Sequence, residues 1–514
     1  MPLSGPPLDH PVDIPKLLHA GLHRAPDAPS LVSDKTRTTW HDLETVSHRL
    51  AANFLALGLK PGDRIASLMP NRTALLIFYI ACFKSGLVAV PLNYRYTPRE
   101  IDHAIEVSDA RALLSHIERE PDWLASRRIG DLSHGVITFG GKRTGLPDYL
   151  QLIKSGEAEI SFPARDPQDP AAIFFTSGST GPAKGVTHTA SSIGFMLAGH
   201  IAASHLSPDD VILPGSSMSH IGGFALALAG LAAGARVVVA RTFDAHTIVK
   251  LLRAERPTVM FMIPTMLLKL VHDYGVTSDD FATVRACRSG ADKVPAELEA
   301  ELERRTGHKI VESYGMTEVG VATQNPPEGP IKVGSVGQPI PGVSLSVRDD
   351  AGVELPTETP GQLFIKSPGL LSGYWNDPEA TAAALRDGWL DSGDIMKHDT
   401  DGYLWFCGRK KQIIIHDGSN IFPQEVENAL LEHPAVENAA VIGVHDLLHG
   451  ENVRAYVAIR NGVERPKTEA LIDHARARVG YKAPEEIVFL DEIPLNATGK
   501  IDRADLKARA AEHH

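Results

Sequence analysis

Only three cysteines occur in 514 residues, Cys82, Cys287 and Cys407, and they lie far apart. An odd number at that spacing argues against a disulfide frame or a zinc site and points to free thiols in a reducing, cytoplasmic setting. Long apolar runs are equally scarce. The longest, Ile221 to Ala235, ends at Arg236, is too short to span a bilayer and reads as a buried helix, so no stable membrane insertion is expected. Basic charge is not in excess: 51 Lys and Arg against 63 Asp and Glu leave a net charge of −12. That balance argues against nucleic acid or an anionic membrane as the main partner. The first ten residues have no basic start and no apolar stretch, so no secretory signal is expected. There is no internal repeat, no low-complexity tract and no Walker loop, which needs Gly, four residues, then Gly-Lys-Ser/Thr.

What is present starts with Thr176-Ser-Gly-Ser-Thr-Gly-Pro-Ala-Lys-Gly185. Hydroxyls, backbone N–H groups and one cation are what a polyphosphate needs, because its oxygens only accept hydrogen bonds. Glycine lets the backbone approach those oxygens. The run follows Ala171–Phe175, which reads as a buried strand, and a β-like run resumes at Val186.

At this length two or more domains are the expectation. From about 12 to 170, helical patterns alternate with short apolar strands such as Gly86–Pro91, implying a parallel sheet covered by helices. The alternation continues from 171 to about 315, with strands expected at Ile173–Phe175, Val211–Leu213, Val237–Val239 and Met260–Met262. From about 320 to 405, strand signals between Gly/Pro/Asp turns favour a small β-rich unit. A cation run, Arg409-Lys-Lys411, precedes a helix at Pro423–Leu431, two strands and a helix at Thr468–Val479. These read as a small α+β domain from 411 to 514, after an N-terminal domain of 1–410.

Four further stretches suit one ligand. Ser313-Tyr-Gly-Met-Thr-Glu318 ends in a carboxylate able to hold Mg²⁺ through oxygen. Trp389-Leu-Asp-Ser-Gly-Asp394 offers a carboxylate in a Gly turn, chemistry suited to a ribose diol, and Arg409 could add a second ribose contact. Pro494-Leu-Asn-Ala-Thr-Gly-Lys500 ends in a lysine on a tight loop. Together with Leu57–Asp63, Pro91-Leu-Asn93, Gly334–Gly337, Gly373-Tyr-Trp375 and Gly443–Asp446, these stretches resemble the adenylate-forming superfamily of acyl-CoA synthetases, peptide-synthetase adenylation domains and luciferases. The length and two-domain layout look most like a free-standing acyl- or aryl-CoA synthetase.

The resemblance implies an α/β fold: a large N-terminal AMP-binding domain hinged to a small, mobile C-terminal domain. It implies ATP, Mg²⁺ and coenzyme A, with a small carboxylic acid as substrate. Thr176, Ser177, Gly178, Ser179, Thr180, Gly181 and Lys184 would hold the β- and γ-phosphates. Ser289, Gly290, Ala291, Ser313 and Tyr314 would form the adenine slot, with Glu312 near the ribose or base. Thr317 would contact the α-phosphate and Glu318 bind the metal. Asp394 and Arg409 would hold the ribose, and Lys500 bridge the acid carboxylate and α-phosphate. His220 and Phe224 would wall the acyl pocket, faced by Gly315 and Met316. Lys411 would be the hinge, and Gly418 would line the pantetheine tunnel. Arg288 could pair a second carboxylate on the acid, although a position pointing elsewhere is expected. Homodimers are common among such proteins, and the loop at Lys500 resembles a site for a protein acetyltransferase. An enzyme that loads a carrier protein would share the first half-reaction and is the alternative.

Overall fold

A computed structural model of the chain describes residues 3–155, 161–176, 182–241, 244–290, 294, 296–327, 329–417, 419–446, 448–496 and 500–512. The expected positions Ser177, Gly178, Ser179, Thr180, Gly181, Ala291 and Gly418 lie outside the described residues. The chain is a mixed α/β protein that divides into two compact units: Pro2–Leu345 with Ile365–Leu390, and Ser346–Phe364 with Asp391–His514.

The larger unit is built on two sheets. One has seven strands, with Pro170–Phe175, Val88–Pro91, Arg64–Leu68, Ala112–His116 and Val136–Phe139 as parallel neighbours in that order. Gly185–Thr189 and Gly373–Tyr374 extend it antiparallel. The other has nine strands, with Ile310–Met316, Ala286–Gly290, Val259–Met262, Val211–Pro214 and Arg236–Val238 parallel at its centre. Gly320–Gln324 folds back antiparallel on Ile310–Met316.

Parallel strands need both faces covered, and the sequence supplies helices apolar on every side. Thr73–Ser85 is buried from Ala74 to Ser85. Ile221–Ala232 is likewise enclosed, apart from Gly222 and Ala232. Helix Ala190–Ser204 starts at a capping box in which Thr189 and Ser192 satisfy each other's backbone N–H groups. These helices, with Trp40–Ala56, share one apolar core that also holds residues of both sheets. A second core packs Ala245–Glu255, Pro264–His272 and Ala296–Thr306 on the far face of the nine-stranded sheet.

Trp389–His398 and Leu404–Arg409 form an antiparallel hairpin that belongs to the smaller unit from Asp391 on. A five-stranded sheet centred on Val436–Asp446 and Gly450–Ile459 carries the helices Pro423–Leu431 and Thr468–Val479 over its own apolar core. Asp394 was expected in a turn, but it lies within Trp389–His398, next to Gly393 at φ +69°. Glycine there bends the strand without ending it. No described helix is long and apolar enough to cross a membrane.

Candidate active site

The phosphate-loop candidate emerges between two antiparallel strands, and its stem is closed by Thr176 N–H donating to Lys184 O at 3.2 Å. Its exit is tied down by His103, whose Nε2 lies 2.7 Å from Ala183 O. Gly185 is required at the end of the loop: a Cβ there would come within 2.9 Å of Ile173 and 3.2 Å of Trp375. Trp375 N–H donates to Gly185 O at 2.7 Å, so Gly373–Tyr374 lies alongside the strand that follows the loop.

That pairing brings the loop lysine to the metal candidate. Lys184 Nζ sits 5.1 Å from the centre of the Tyr374 ring, a cation–π contact. The Tyr374 hydroxyl donates to Glu318 Oε1 at 2.9 Å. Burial, and then the charge of Glu318, raise the Tyr374 phenol well above its ordinary value, so it stays a donor. Glu318 is buried, and its backbone O accepts from Leu371 N–H at 2.8 Å. Thr317 is pinned from the other side, where His188 Nε2–H donates to Thr317 O at 2.8 Å. Burial holds the His188 imidazole down to about 4, so it is neutral near pH 7 and acts as a fixed donor.

The adenine-slot candidates meet at the ends of neighbouring strands. Ser289 pairs with Glu312, and Gly290 with Ser313. Ser289 Oγ donates to Met262 O at 2.9 Å, and Ser313 Oγ to Ser289 O at 3.3 Å. A Cβ at Gly290 would lie 2.6 Å from Ser313 O, so only glycine allows this approach. Glu312 is buried and accepts from Gly334 N–H at 3.2 Å. Tyr314 O–H points to the Met316 sulfur at 4.0 Å. At Gly315 the hairpin with Gly320–Gln324 shifts register, and a Cβ would fall 2.0 Å from Gly320 O.

His220 is the N-cap residue of helix Ile221–Ala232 but makes no side-chain cap bond. Its Nε2 instead lies 3.3 Å from the Asn93 amide nitrogen. Phe224 is fully buried, edge-on to Tyr79 and Phe174 at 4.9 Å and to Phe83 at 6.4 Å. Arg288 is buried as well, with its Nη1 donating to Ser204 Oγ at 2.9 Å.

In the smaller unit, Asp394 and Arg409 are direct cross-strand partners, and Arg409 Nε lies 3.2 Å from Asp394 Oδ1. Asp394 is buried, while the Arg409 side chain is 44% exposed. Lys411 is exposed in the short 3-10 turn Lys410–Gln412. Lys500 closes a hairpin in which Leu495 bridges Ile501, and its N–H and O are both held by Asn496, at 3.1 and 2.8 Å.

Three positions with a clear place in this geometry have no role assigned by the sequence alone. Tyr374 and Asn93 lie within the motifs Gly373–Trp375 and Pro91–Asn93. His188 has only its nearness to Lys184 as a signal, because its partner Thr317 lies 129 residues away.

The AMP-binding enzyme family matches residues 18–375, and its C-terminal domain matches 425–500. A feruloyl-CoA synthase of Amycolatopsis is 32% identical over 489 residues, covering 94% of this chain and 96% of its own. A long-chain-fatty-acid–CoA ligase of Bacillus subtilis is 30% identical, covering 99% and 98%. The structure of ATP-bound MatB from Rhodopseudomonas palustris superposes with a TM-score of 0.89 at 28% identity, over 97% of this chain and 99% of that one. The chain belongs to the AMP-binding enzyme family of adenylate-forming ligases, in its AMP-forming acyl-CoA synthetase branch.

Proposed function

We propose that the ligase reaction, carboxylic acid plus ATP to acyl-adenylate and pyrophosphate and then to acyl-CoA and AMP, is carried by the residues of this site. The observation that supports this most is the chain Lys184–Tyr374–Glu318, which sets a cation and a carboxylate beside the stem of a hydroxyl-rich loop. In the first half-reaction the acid's carboxylate attacks the α-phosphorus of ATP. It is already ionised, so no general base is needed, and catalysis is positioning plus charge neutralisation. Lys184 with Thr176, Ser177, Gly178, Ser179, Thr180 and Gly181 grips the departing pyrophosphate. Thr317 contacts the α-phosphate, and Lys500 bridges it to the acid.

Glu318 fits Mg²⁺: it is a buried hard-oxygen donor, oriented by a neutral hydroxyl that leaves its charge intact. When bound, the ion would neutralise phosphate charge. Asp394 accepts from the ribose hydroxyls beside Arg409. Ser289, Gly290, Ala291, Ser313, Tyr314 and Glu312 take the adenosine.

In the second half-reaction the CoA thiol attacks the acyl carbon and AMP leaves. Rotation about Lys411 would withdraw Lys500 and present Gly418 to the pantetheine arm. His220, Phe224, Gly315 and Met316 belong to a moderately apolar acid pocket, suited to an aromatic or short-to-medium aliphatic acid. A cytoplasmic homodimer, open to acetylation at Lys500, completes the reading. Cys82, Cys287 and Cys407 are all free thiols, as a reducing compartment allows.

The test separates the half-reactions. Lys500→Ala should lower acid-dependent pyrophosphate release about 100- to 1,000-fold, the loss expected for one charge-stabilising donor. Thioester formation from synthetic acyl-adenylate and CoA should persist. An equal loss in both would show that Lys500 is not specific to adenylate formation.

A further inference from the structure

Arg288 is the largest fully buried side chain among the described residues, at 1% exposure. Its Nη1 reaches Ser204 Oγ at 2.9 Å, its Nε–H meets no acceptor, and no described carboxylate pairs with it. Burial lowers it to about 10, and no described acidic group offsets the cost. One turn before Ser204, on the same helix, His200 is 2% exposed, and neither of its ring nitrogens has a partner among the described residues. Burial, and then the charge of Arg288, push His200 down to about 3, so the ring is a neutral N–H donor. Gln324 borders the same nest: its amide nitrogen donates to Ala203 O at 2.9 Å, and its buried Oε1 has no donor.

The strand Ala286–Gly290 places this nest in the layer of the proposed acid pocket. Alternate strand residues share a face. Ala286 packs in the core that contains Ile221 and Phe224, whereas Cys287 packs in the core on the opposite face. Arg288 and Gly290 therefore face the layer of helix Ile221–Ala232. Arg288 lies two residues, or about 7 Å, deeper along the strand than the adenine-slot glycine. A cavity of about 160 Å³ adjoins the nest at Ser204 and Gln324; it is lined further by Arg285, Ala286, Lys309 and Val311 at the start of the strands, and Arg288 and His200 lie outside its lining.

A guanidinium left without a counter-charge in a dry interior is costly, and an anion placed against it would relieve that cost. We propose that Arg288, helped by His200 and Ser204, receives a second carboxylate on the substrate, so that the acid activated is a dicarboxylic acid. This rests on the ligase reading of the site. Arg288 meets the distal carboxylate through Nε–H, and His200 adds a ring N–H. Gln324 Oε1 accepts a hydrogen bond from a hydroxyl or water beside it. A monocarboxylic acid of equal length would leave the buried charge unpaired, so discrimination acts against the wrong acid.

The experiment compares dicarboxylic acids with monocarboxylic acids of the same chain length, on the intact enzyme, by calorimetric binding and by pyrophosphate release. In the wild type the diacid should be favoured by at least about 100-fold in both, against the roughly 10⁴-fold reached when a site built for a polar group meets an analogue lacking it. In Arg288→Met and in Arg288→Gln that ratio should fall to about 1, with melting temperature used to confirm folding. Arg288→Gln keeps a donor for Ser204 and guards against loss of the fold. A wild type that binds the monoacid as tightly as the diacid overturns the proposal without recourse to any variant. So does a diacid preference that survives both substitutions. If the diacid binds with the expected ratio but no acid supports pyrophosphate release, the distal-anion site stands and the ligase reading falls.

Discussion

Glu318 and Asp394 are both buried carboxylates, at 6% and 4% exposure, yet they are held by opposite kinds of donor. Glu318, in the larger unit, accepts a hydrogen bond from a neutral hydroxyl, Tyr374. Asp394, in the smaller unit, lies against the guanidinium of Arg409. A neutral donor fixes a carboxylate without itself cancelling the charge. A guanidinium neutralises the charge and leaves lone pairs that suit uncharged hydroxyls. On the proposed function, the same functional group serves a metal in one unit and a sugar in the other.

The largest break in this comparison should come from Glu318→Gln. It removes the charge while keeping the shape, and we expect kcat/KM for ATP to fall about 100-fold, the size of one lost charged contact. The Mg²⁺ concentration needed for half-maximal rate should rise with it. An unchanged Mg²⁺ requirement would detach Glu318 from the metal.

Asp394→Asn should act differently. Its effect should be mainly on the KM for ATP, raised about tenfold for a lost hydrogen bond to a charged acceptor, with kcat little changed. Deoxy-ATP separates the two carboxylates further. Wild type and Asp394→Asn should use it equally poorly, whereas Glu318→Gln should be worse with either nucleotide. If deoxy-ATP served the wild type as well as ATP does, Asp394 would not hold the ribose.

Tyr374→Phe sharpens the comparison. It leaves the charge of Glu318 in place but removes its orientation, so a loss of about tenfold is expected, smaller than for Glu318→Gln. A loss as great as that of Glu318→Gln would mean the hydroxyl does more than orient.

The smallest effect concerns Glu299, a third buried carboxylate that has neither kind of donor among the described residues. Burial, then repulsion by Glu312 and Glu303, raise it from 4.5 to about 7. The folded chain thus keeps its proton to a higher pH than the unfolded chain. Stability present below pH 4.5 is lost as pH rises through 7. Glu299→Gln should therefore raise the melting temperature above pH 7 by about 1–2 °C, and not at pH 4. Thermal scans across that range, read as the difference from wild type, would reveal a flat line if Glu299 were ordinary.

Much of this could be read from the sequence because it is local. The helix at Pro423–Leu431 declares itself by proline in its first turn, and the strand before the phosphate loop by an unbroken apolar run. Loop chemistry is local too, since hydroxyls, glycines and a lysine within ten residues point to phosphate whatever surrounds them. Asp394 and Arg409 are fifteen residues apart in one hairpin, so their pairing follows from a single turn.

The sequence by itself determined the family, the α/β alternation and the residue types available for nucleotide chemistry, because each depends on short-range pattern. Tertiary structure alone decided which side chains meet. Tyr374 reaches Glu318 across 56 residues and His188 reaches Thr317 across 129, because an antiparallel strand and a buried histidine bring distant segments together. It also decided the fate of Arg288. Strand alternation turns that residue into a dry layer where no described carboxylate pairs with it, so a cation that looks unremarkable in the sequence becomes a costly buried charge. Burial, which no short stretch of sequence encodes, is the reason.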